Sequence, residues 1–292
     1  MSQTRIAIVG TGAIGCAVGA ALGDAGHVPH LAARTPIERI HRTLEGVSRE
    51  YRFPSFANQQ DVTPQDWVML CTKAYQTEQA RAWFDPMIGD KTVIAVLQNG
   101  VDQVERLSAY LPANRILPVV VHMAAERDAP GEIVQTPHGR LLVPQGENGN
   151  AFAALFKGTE ALTVEPQVDF VSALWRKLTL NATTGAVCAL TIRQNEVFGT
   201  ELVNQAARAL MAEVMAVGRA EGAQFEDDFI SQGLELLSGP VREHWTSMAA
   251  DRREGRPLEW EVRNRVVGER GRRHGVKTPL NDLVTALLSQ AR

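Results

Sequence analysis

Two groups of residues in this sequence have the types and spacing to do chemistry. The first is Gly10-Thr11-Gly12-Ala13-Ile14-Gly15, a G-x-G-x-x-G run that directly follows the apolar stretch Ile6-Ala7-Ile8-Val9 and opens Ala/Val-rich helical sequence. In a dinucleotide-binding turn Gly10 permits the sharp bend, Gly12 lets the backbone approach a pyrophosphate, and Gly15 allows the helix to pack against the strand. The following helix adds unpaired N–H groups and a partial positive charge facing the phosphates. A bare glycine pattern also marks ordinary turns; the strand before it and the helix after it favour the dinucleotide. About 20 residues further on, where an NAD site carries a ribose-binding acid, the sequence reads Ala32-Ala33-Arg34-Thr35. A guanidinium there pairs with a 2′-phosphate, which favours NADPH/NADP+, a plain surface arginine being the alternative.

The second group is Lys177, Asn181 and Gly185, spaced four apart in a helical pattern, with Thr184 and Cys188 beside them. That spacing sets a cation and an amide on one helix face beside a residue that leaves room. Reduction of a ketone needs a hydride donor, a carbonyl held against it, and a proton for the oxygen on which charge develops. Lysine can supply the proton and steady the alkoxide. A snorkelling lysine above a satisfied asparagine accounts for the same spacing.

The elements that must position these groups fall into two parts. The first half alternates strand-like and helix-like pieces, as a parallel sheet with crossovers does. Expected strands lie at 30–34, 66–73, 92–98 and 116–121, and an antiparallel pair at 132–136 and 140–143 flanks Pro137-His138-Gly139. Residues 36–66 read as a polar region holding a short helix and an edge strand. In a doubly wound sheet, ligands sit beyond the carboxyl ends of the strands, which places Lys73, Gln76 and Asn99 at the cofactor; Asn99-Gly100 is also an ordinary turn dipeptide. From about residue 169 the pattern becomes successive helices, the first at 169–190 and others near 201–222, 227–237, 244–251, 259–274 and 280–290. The expected fold class is therefore α/β, an N-terminal Rossmann-type parallel-sheet domain over 1–168 with a C-terminal all-α domain over 169–292, sharing a cleft.

Composition narrows the function classes. A chain of 292 residues with a formal charge of -3 has no basic excess for nucleic acid. The Arg-rich stretch 252–273 carries glutamates as well and reads as a solvated helix face. Cys16, Cys71 and Cys188 show neither metal nor redox spacing, so no metal is expected and a reducing compartment is. No signal peptide or long apolar span is evident, which makes a cytoplasmic protein without a membrane partner the expectation. A homodimer is expected only on general frequency.

These pieces, with Thr72-Lys73-Ala74-Tyr75-Gln76, Gln98-Asn99-Gly100, residues 122–127, Trp175 to Asn181, Ser247-Met248 and Glu259 in order, resemble the ketopantoate reductase family. The resemblance spans nearly the whole chain. It implies NADPH-dependent reduction of a 2-oxo acid to a 2-hydroxy acid, with ketopantoate as the favoured small-molecule substrate. It also implies that Lys177 is the catalytic lysine, that Asn181, Asn195 and Ser247 hold substrate, and that Glu259 is a second catalytic residue, near substrate and nicotinamide, orienting the ammonium or accepting from a substrate hydroxyl. Lys73, Asn99, Gln76, Arg34 and Ala124 join the glycine turn as cofactor contacts. The chain departs from the family pattern at Gly185, where the pattern has another substrate-binding asparagine. It departs again at Asn264-Arg265, in place of Asn-Gly, which puts a bulky cation where the site lining is expected. A free lysine has a pKa of about 10.4; burial lowers it and the charge of Glu259 raises it, so the sequence leaves the balance at Lys177 open.

Overall fold

The computed structural model describes residues 4–239 and 244–291. The chain forms two compact units, Met1–Gln98 with Gln103–Phe170, and Asn99–Asp102 with Val171–Arg292. The first unit is built on β1 (Ile6–Val9), α1 (Ala13–Asp24), β2 (His30–Ala32), β3 (Arg39–Leu44), β4 (Val47–Arg52), β5 (Trp67–Leu70), α2 (Thr77–Phe84) and β6 (Val93–Val96). It continues through α3 (Gln103–Leu107), β7 (Ile116–Pro118), β8 (Val120–His122), β9 (Ala125–Ala129), β10 (Glu132–Gln135), β11 (Gly139–Pro144), α4 (Glu147–Leu155) and β12 (Leu162–Gln167).

Strands β2-β1-β5-β6-β7 pair in that order, all parallel. Such strands are buried on both faces, which is why they read as unbroken apolar runs. Their side chains alternate between two cores. Ile6, Ile8, Met69 and Ala95 enter one, and Ala7, Val9, Val68, Leu70, Ile94 and Val96 the other. The strand order reverses at β1, so the glycine turn leaves the sheet at its switch point. Helix α1 is buried almost throughout because its inward residues are small.

Two further sheets complete this unit, and here the structure corrects the sequence reading. The region 36–66 holds the expected short helix, a 3-10 turn at Gln59–Asp61, and the expected edge strand, β4, but residues 39–52 pair β4 with a second strand, β3, in a hairpin. Its turn residues Glu45 and Gly46 both have positive φ, as a two-residue hairpin turn requires. The signal was hidden because β4 is polar at Ser48, Arg49, Glu50 and Arg52, while buried Arg42 lies on β3 and bonds Asp24 at 2.8 Å. Nor do residues 132–136 and 140–143 pair with each other. Strand β10 lies parallel to β3 and antiparallel to β9, and β11 lies antiparallel to β8 and parallel to β12. His138 at positive φ turns the chain from one sheet into the other. Strand β12, hidden by Pro166, continues to Gln167.

The second unit contains α5 (Phe170–Thr191), α6 (Glu201–Ala220), α7 (Phe229–Ser238), α8 (Ser247–Arg253), a π-helical turn Glu261–Arg265, α9 (Val266–His274) and α10 (Pro279–Gln290). Helix α5 runs through its middle and feeds several cores. Trp175, Leu178 and Ala182 meet Val214, Val217 and Val267; Cys188 meets Met211 and Leu234; Ala186 and Ala189 meet Met248, Leu258 and Leu288. Methionines Met211 and Met248 are packing residues, both fully buried. Helix α10 begins at Pro279, and its free N–H groups are taken by the Glu213 carboxylate of α6, which accepts from the Leu280 and Asn281 backbone at 2.9 Å each.

Candidate active site

In the first unit the three glycines are constrained differently. Gly10 has φ +99°, and a Cβ there would stand 2.8 Å from the Thr72 backbone nitrogen. A Cβ on Gly15 would lie 2.0 Å from the Gly10 carbonyl oxygen, so only glycine lets α1 come this close to the turn. Around Gly12, among the described residues beyond its chain neighbours, nothing stands within 4 Å of a Cβ position. Helix α1 starts immediately after it with no acidic residue in its first turn. The arrangement is an open, electropositive backbone edge, with Thr11, Ala13 and Ile14 forming its rim, and it fits a pyrophosphate.

The strand ends around this turn carry the other expected cofactor residues. Arg34 lies two residues beyond β2, exposed, and among the described residues no side chain forms an ion pair or hydrogen bond with it. Lys73 opens a short 3-10 turn, Ala74–Gln76, after β5, and the Gln76 Oε1 accepts from the Lys73 backbone N–H at 3.2 Å. Buried Gln98, just past β6, fastens this turn: its amide donates to Thr72 Oγ1 at 3.0 Å and its oxygen accepts from Thr77 Oγ1 at 3.1 Å. Ala124 sits between β8 and β9, its carbonyl accepting from the Thr136 N–H and hydroxyl.

The second unit gathers a different set. Asn99 belongs to this unit although it follows Gln98 directly in the chain. Asn181 Nδ2 donates to Asn99 Oδ1 at 3.2 Å, and Asn99 Nδ2 donates to Glu259 Oε2 at 3.0 Å. The same carboxylate oxygen is 3.6 Å from an Arg263 terminal nitrogen. That nitrogen donates to Ser247 Oγ at 2.8 Å. Helix α5, the segment 99–102, the start of α8 and the π-turn thus each contribute to one continuous polar chain. Lys177 lies one helical turn before Asn181. Burial, and then the positive charge of Arg263, lower its pKa from an ordinary 10.5 to about 8. Desolvation therefore prevails at this lysine.

Asn195 is set differently. It is buried, with its Oδ1 3.5 Å from Cys188 Sγ and its backbone N–H on the His244 carbonyl. Arg265 is corrected as well: it is exposed, pairs with Glu261 and Glu269, and lies over the Trp260 ring. The buried cation is Arg263, only 3 % exposed and absent from the sequence-derived candidates. Reading 252–273 as a solvated face hid it. The available signal was its place in the stripe Glu259, Val262, Arg263, Val266 and Val267, whose other members are all buried. The π-turn adds one residue to the hydrogen-bonded loop at this point, a feature found often at functional sites. Among the described residues there is no group of three or more His, Cys, Asp or Glu able to hold a metal. No described helix is long and apolar enough to cross a membrane.

A glycine turn at the switch point of a parallel sheet, followed in the chain by a helical unit carrying a desolvated lysine, defines a dinucleotide-dependent oxidoreductase. Comparison with known proteins makes this specific. Residues 6–148 match the family model "Ketopantoate reductase PanE/ApbA", and residues 169–292 match its C-terminal counterpart, "Ketopantoate reductase PanE/ApbA C terminal". The chain belongs to the ketopantoate reductase family, oxidoreductases that use a nicotinamide cofactor. It is 40% identical over 294 residues to a 2-dehydropantoate 2-reductase of Caulobacter vibrioides, covering 99% of each chain. It is 38% identical over 290 residues to that of Mycobacterium tuberculosis, covering 99% of this chain and 98% of the other. The crystal structure of 2-dehydropantoate 2-reductase from Geobacter metallireducens superposes with a TM-score of 0.92 at 27% identity, over 99% of this chain and 100% of that one.

Proposed function

We propose that this protein reduces 2-dehydropantoate (ketopantoate) to pantoate with NADPH, Lys177 serving as the general acid. The observation that carries the reading is the desolvated Lys177, one turn from an asparagine joined through Asn99 to Glu259. In this reading residues 1–168 hold the cofactor and 169–292 hold the substrate. Residues 10–15, Arg34, Lys73, Gln76 and Ala124 fit a bound dinucleotide phosphate, which when present supplies the hydride. Lys177 donates a hydrogen bond to the ketone oxygen and its proton to the forming alkoxide. Asn181 and Ser247 orient the substrate, with Asn195 holding the surrounding wall. Glu259 keeps the Asn99 amide pointed so that its oxygen accepts from Asn181. Three unpaired cysteines agree with a cytoplasmic setting, and a homodimer is the proposed assembly, in keeping with the dimeric ketopantoate reductase of Staphylococcus aureus that shares the fold.

A second reading within the same chemistry is a reductase of another 2-oxo acid. It is favoured by Arg263, whose guanidinium lies against Gly185 and reshapes the polar group. A protein that binds NADPH without turnover is the reading from another class. Initial rates across a panel of 2-oxo acids separate the three. Ketopantoate turned over at micromolar to low millimolar KM supports the first, preference for another acid the second, and NADPH binding with no oxidation the third.

Cofactor choice has its own test. Among the described residues no side chain bonds Arg34, so its charge is available to a 2′-phosphate. Arg34→Ala is expected to raise KM for NADPH roughly 10- to 100-fold, the worth of one or two charge-assisted hydrogen bonds, while leaving KM for NADH unchanged. An unaltered NADPH/NADH ratio of kcat/KM rules out Arg34 as the discriminating residue.

A further inference from the structure

Arg263 is a buried guanidinium whose bonding within the protein is incomplete. One terminal nitrogen donates to Ser247 and faces Glu259 at 3.6 Å. Among the described residues no hydrogen bond satisfies its Nε. Its second terminal nitrogen lies over Gly185, 2.9 Å from where a Cβ would stand, with the Met248 methyl next to it at 3.3 Å from the same point. Any other residue at 185 forces the guanidinium to move. Room at 185 and a long cation at 263 are thus one device, built from α5 and the π-turn.

An ion-pair partner for Glu259 does not need this design. A guanidinium serving only a carboxylate settles into two parallel hydrogen bonds of about 2.8 Å, whereas here one nitrogen stands at 3.6 Å. Unsatisfied donors on a buried charge are costly, and an anionic guest removes that cost. Lys177 and Arg263 bring two positive charges against the one negative charge of Glu259, so the group as a whole attracts an anion. Asn99 and Asn181 use a donor on each other and on Glu259, while the planar fork of an arginine matches a carboxylate better than lysine's point charge does.

We propose that Arg263 is the anchor for the substrate's carboxylate, held in place by the space at Gly185 and by Ser247. The inference rests on the reductase reading and assigns its specificity for acids to one residue. Lys177 is then left free for the ketone oxygen, one carbon away from the anchored group in any 2-oxo acid.

The test compares binding and turnover. Pantoate titrated calorimetrically into the NADP+-loaded protein is expected to bind about 10²-fold more weakly to Arg263→Met, with Arg263→Lys recovering part of the loss. Gly185→Asn keeps the arginine but displaces it, and is expected to weaken pantoate similarly without altering NADPH affinity. In turnover, wild type is expected to prefer ketopantoate to its uncharged amide, and Arg263→Met to erase most of that preference through KM for the acid. NADPH binding retained by each variant shows that it is folded. Pantoate affinity unchanged in Arg263→Met and Gly185→Asn, or an equal loss for acid and amide, overturns the anchor and leaves Arg263 a positioning residue for Glu259. Failure of wild type to reduce any 2-oxo acid strikes the reductase reading instead, and the calorimetric comparison still decides whether Arg263 holds a carboxylate.

Discussion

Lys177→Ala is expected to lower kcat for ketopantoate reduction by about 10²- to 10⁴-fold, the usual contribution of a general acid, while the dissociation constant for NADPH stays within a few-fold of wild type. The separation follows from where the residues stand. Lys177 is on α5 in the second unit, whereas the glycine turn belongs to the first. Near-wild-type turnover removes Lys177 from the mechanism.

The lysine's pKa of about 8 adds a direction to this expectation. Reduction requires the protonated amine, so kcat is expected to be level below pH 8 and to fall above it, up to tenfold per pH unit. Oxidation of pantoate by NADP+ requires the neutral amine and should rise through the same range. Burial is the larger cause of the lowered pKa and Arg263 the second. Removing the arginine's charge in Arg263→Met is therefore expected to move both limbs to higher pH, by less than the full return to 10.5. Limbs that stay in place in that variant show that the two cations do not sense each other.

What was legible in the sequence, and what was not, divides along physical lines. The parallel strands β1, β5 and β6 announce themselves because burial on both faces demands uninterrupted apolar residues, and the glycine turn because its backbone excludes side chains. The Lys177–Asn181 spacing is legible because helical periodicity converts directly into a shared face. Pairing among the shorter strands is not local: β10 joins β3 across roughly ninety residues of chain, and its own sequence fits a hairpin with β11 equally well. Arg42 and Arg263 were missed for a related reason. A buried arginine is indistinguishable from a solvated one until its partner, Asp24 in one case and Ser247 and Glu259 in the other, is placed beside it. The departures at Gly185 and Arg265 likewise change meaning in three dimensions. Arg265 faces solvent, and the space at Gly185 is taken by Arg263.

Within the glycine turn two substitutions by the same residue are expected to fail in opposite ways. Gly15→Ala puts a methyl group 2.0 Å from the Gly10 carbonyl oxygen, well inside contact distance, and both atoms belong to backbone held by the sheet and by α1. Relief requires α1 to lift or the turn to open, and overpacking of this kind costs about 3 kcal/mol or more. For a unit of this size that is a drop of roughly 6–12 °C in Tm, with loss of NADPH binding following from the deformed turn. Gly12→Ala meets no atom within 4 Å among the described residues beyond its chain neighbours, and the backbone there has φ -75°, which alanine adopts freely. Stability is therefore expected to stay within about 0.5 kcal/mol of wild type. The added methyl instead occupies the open space in front of the N-terminus of α1, where a pyrophosphate must approach the backbone, and NADPH affinity is expected to fall roughly 10- to 100-fold. Thermal melts with and without NADPH distinguish the two. Gly15→Ala melts early in both conditions, while Gly12→Ala melts normally alone and loses the cofactor's stabilising shift. If Gly12→Ala retains that shift in full, the open space at residue 12 is not where the phosphates bind, and the turn's role in this protein is confined to packing α1 against the sheet.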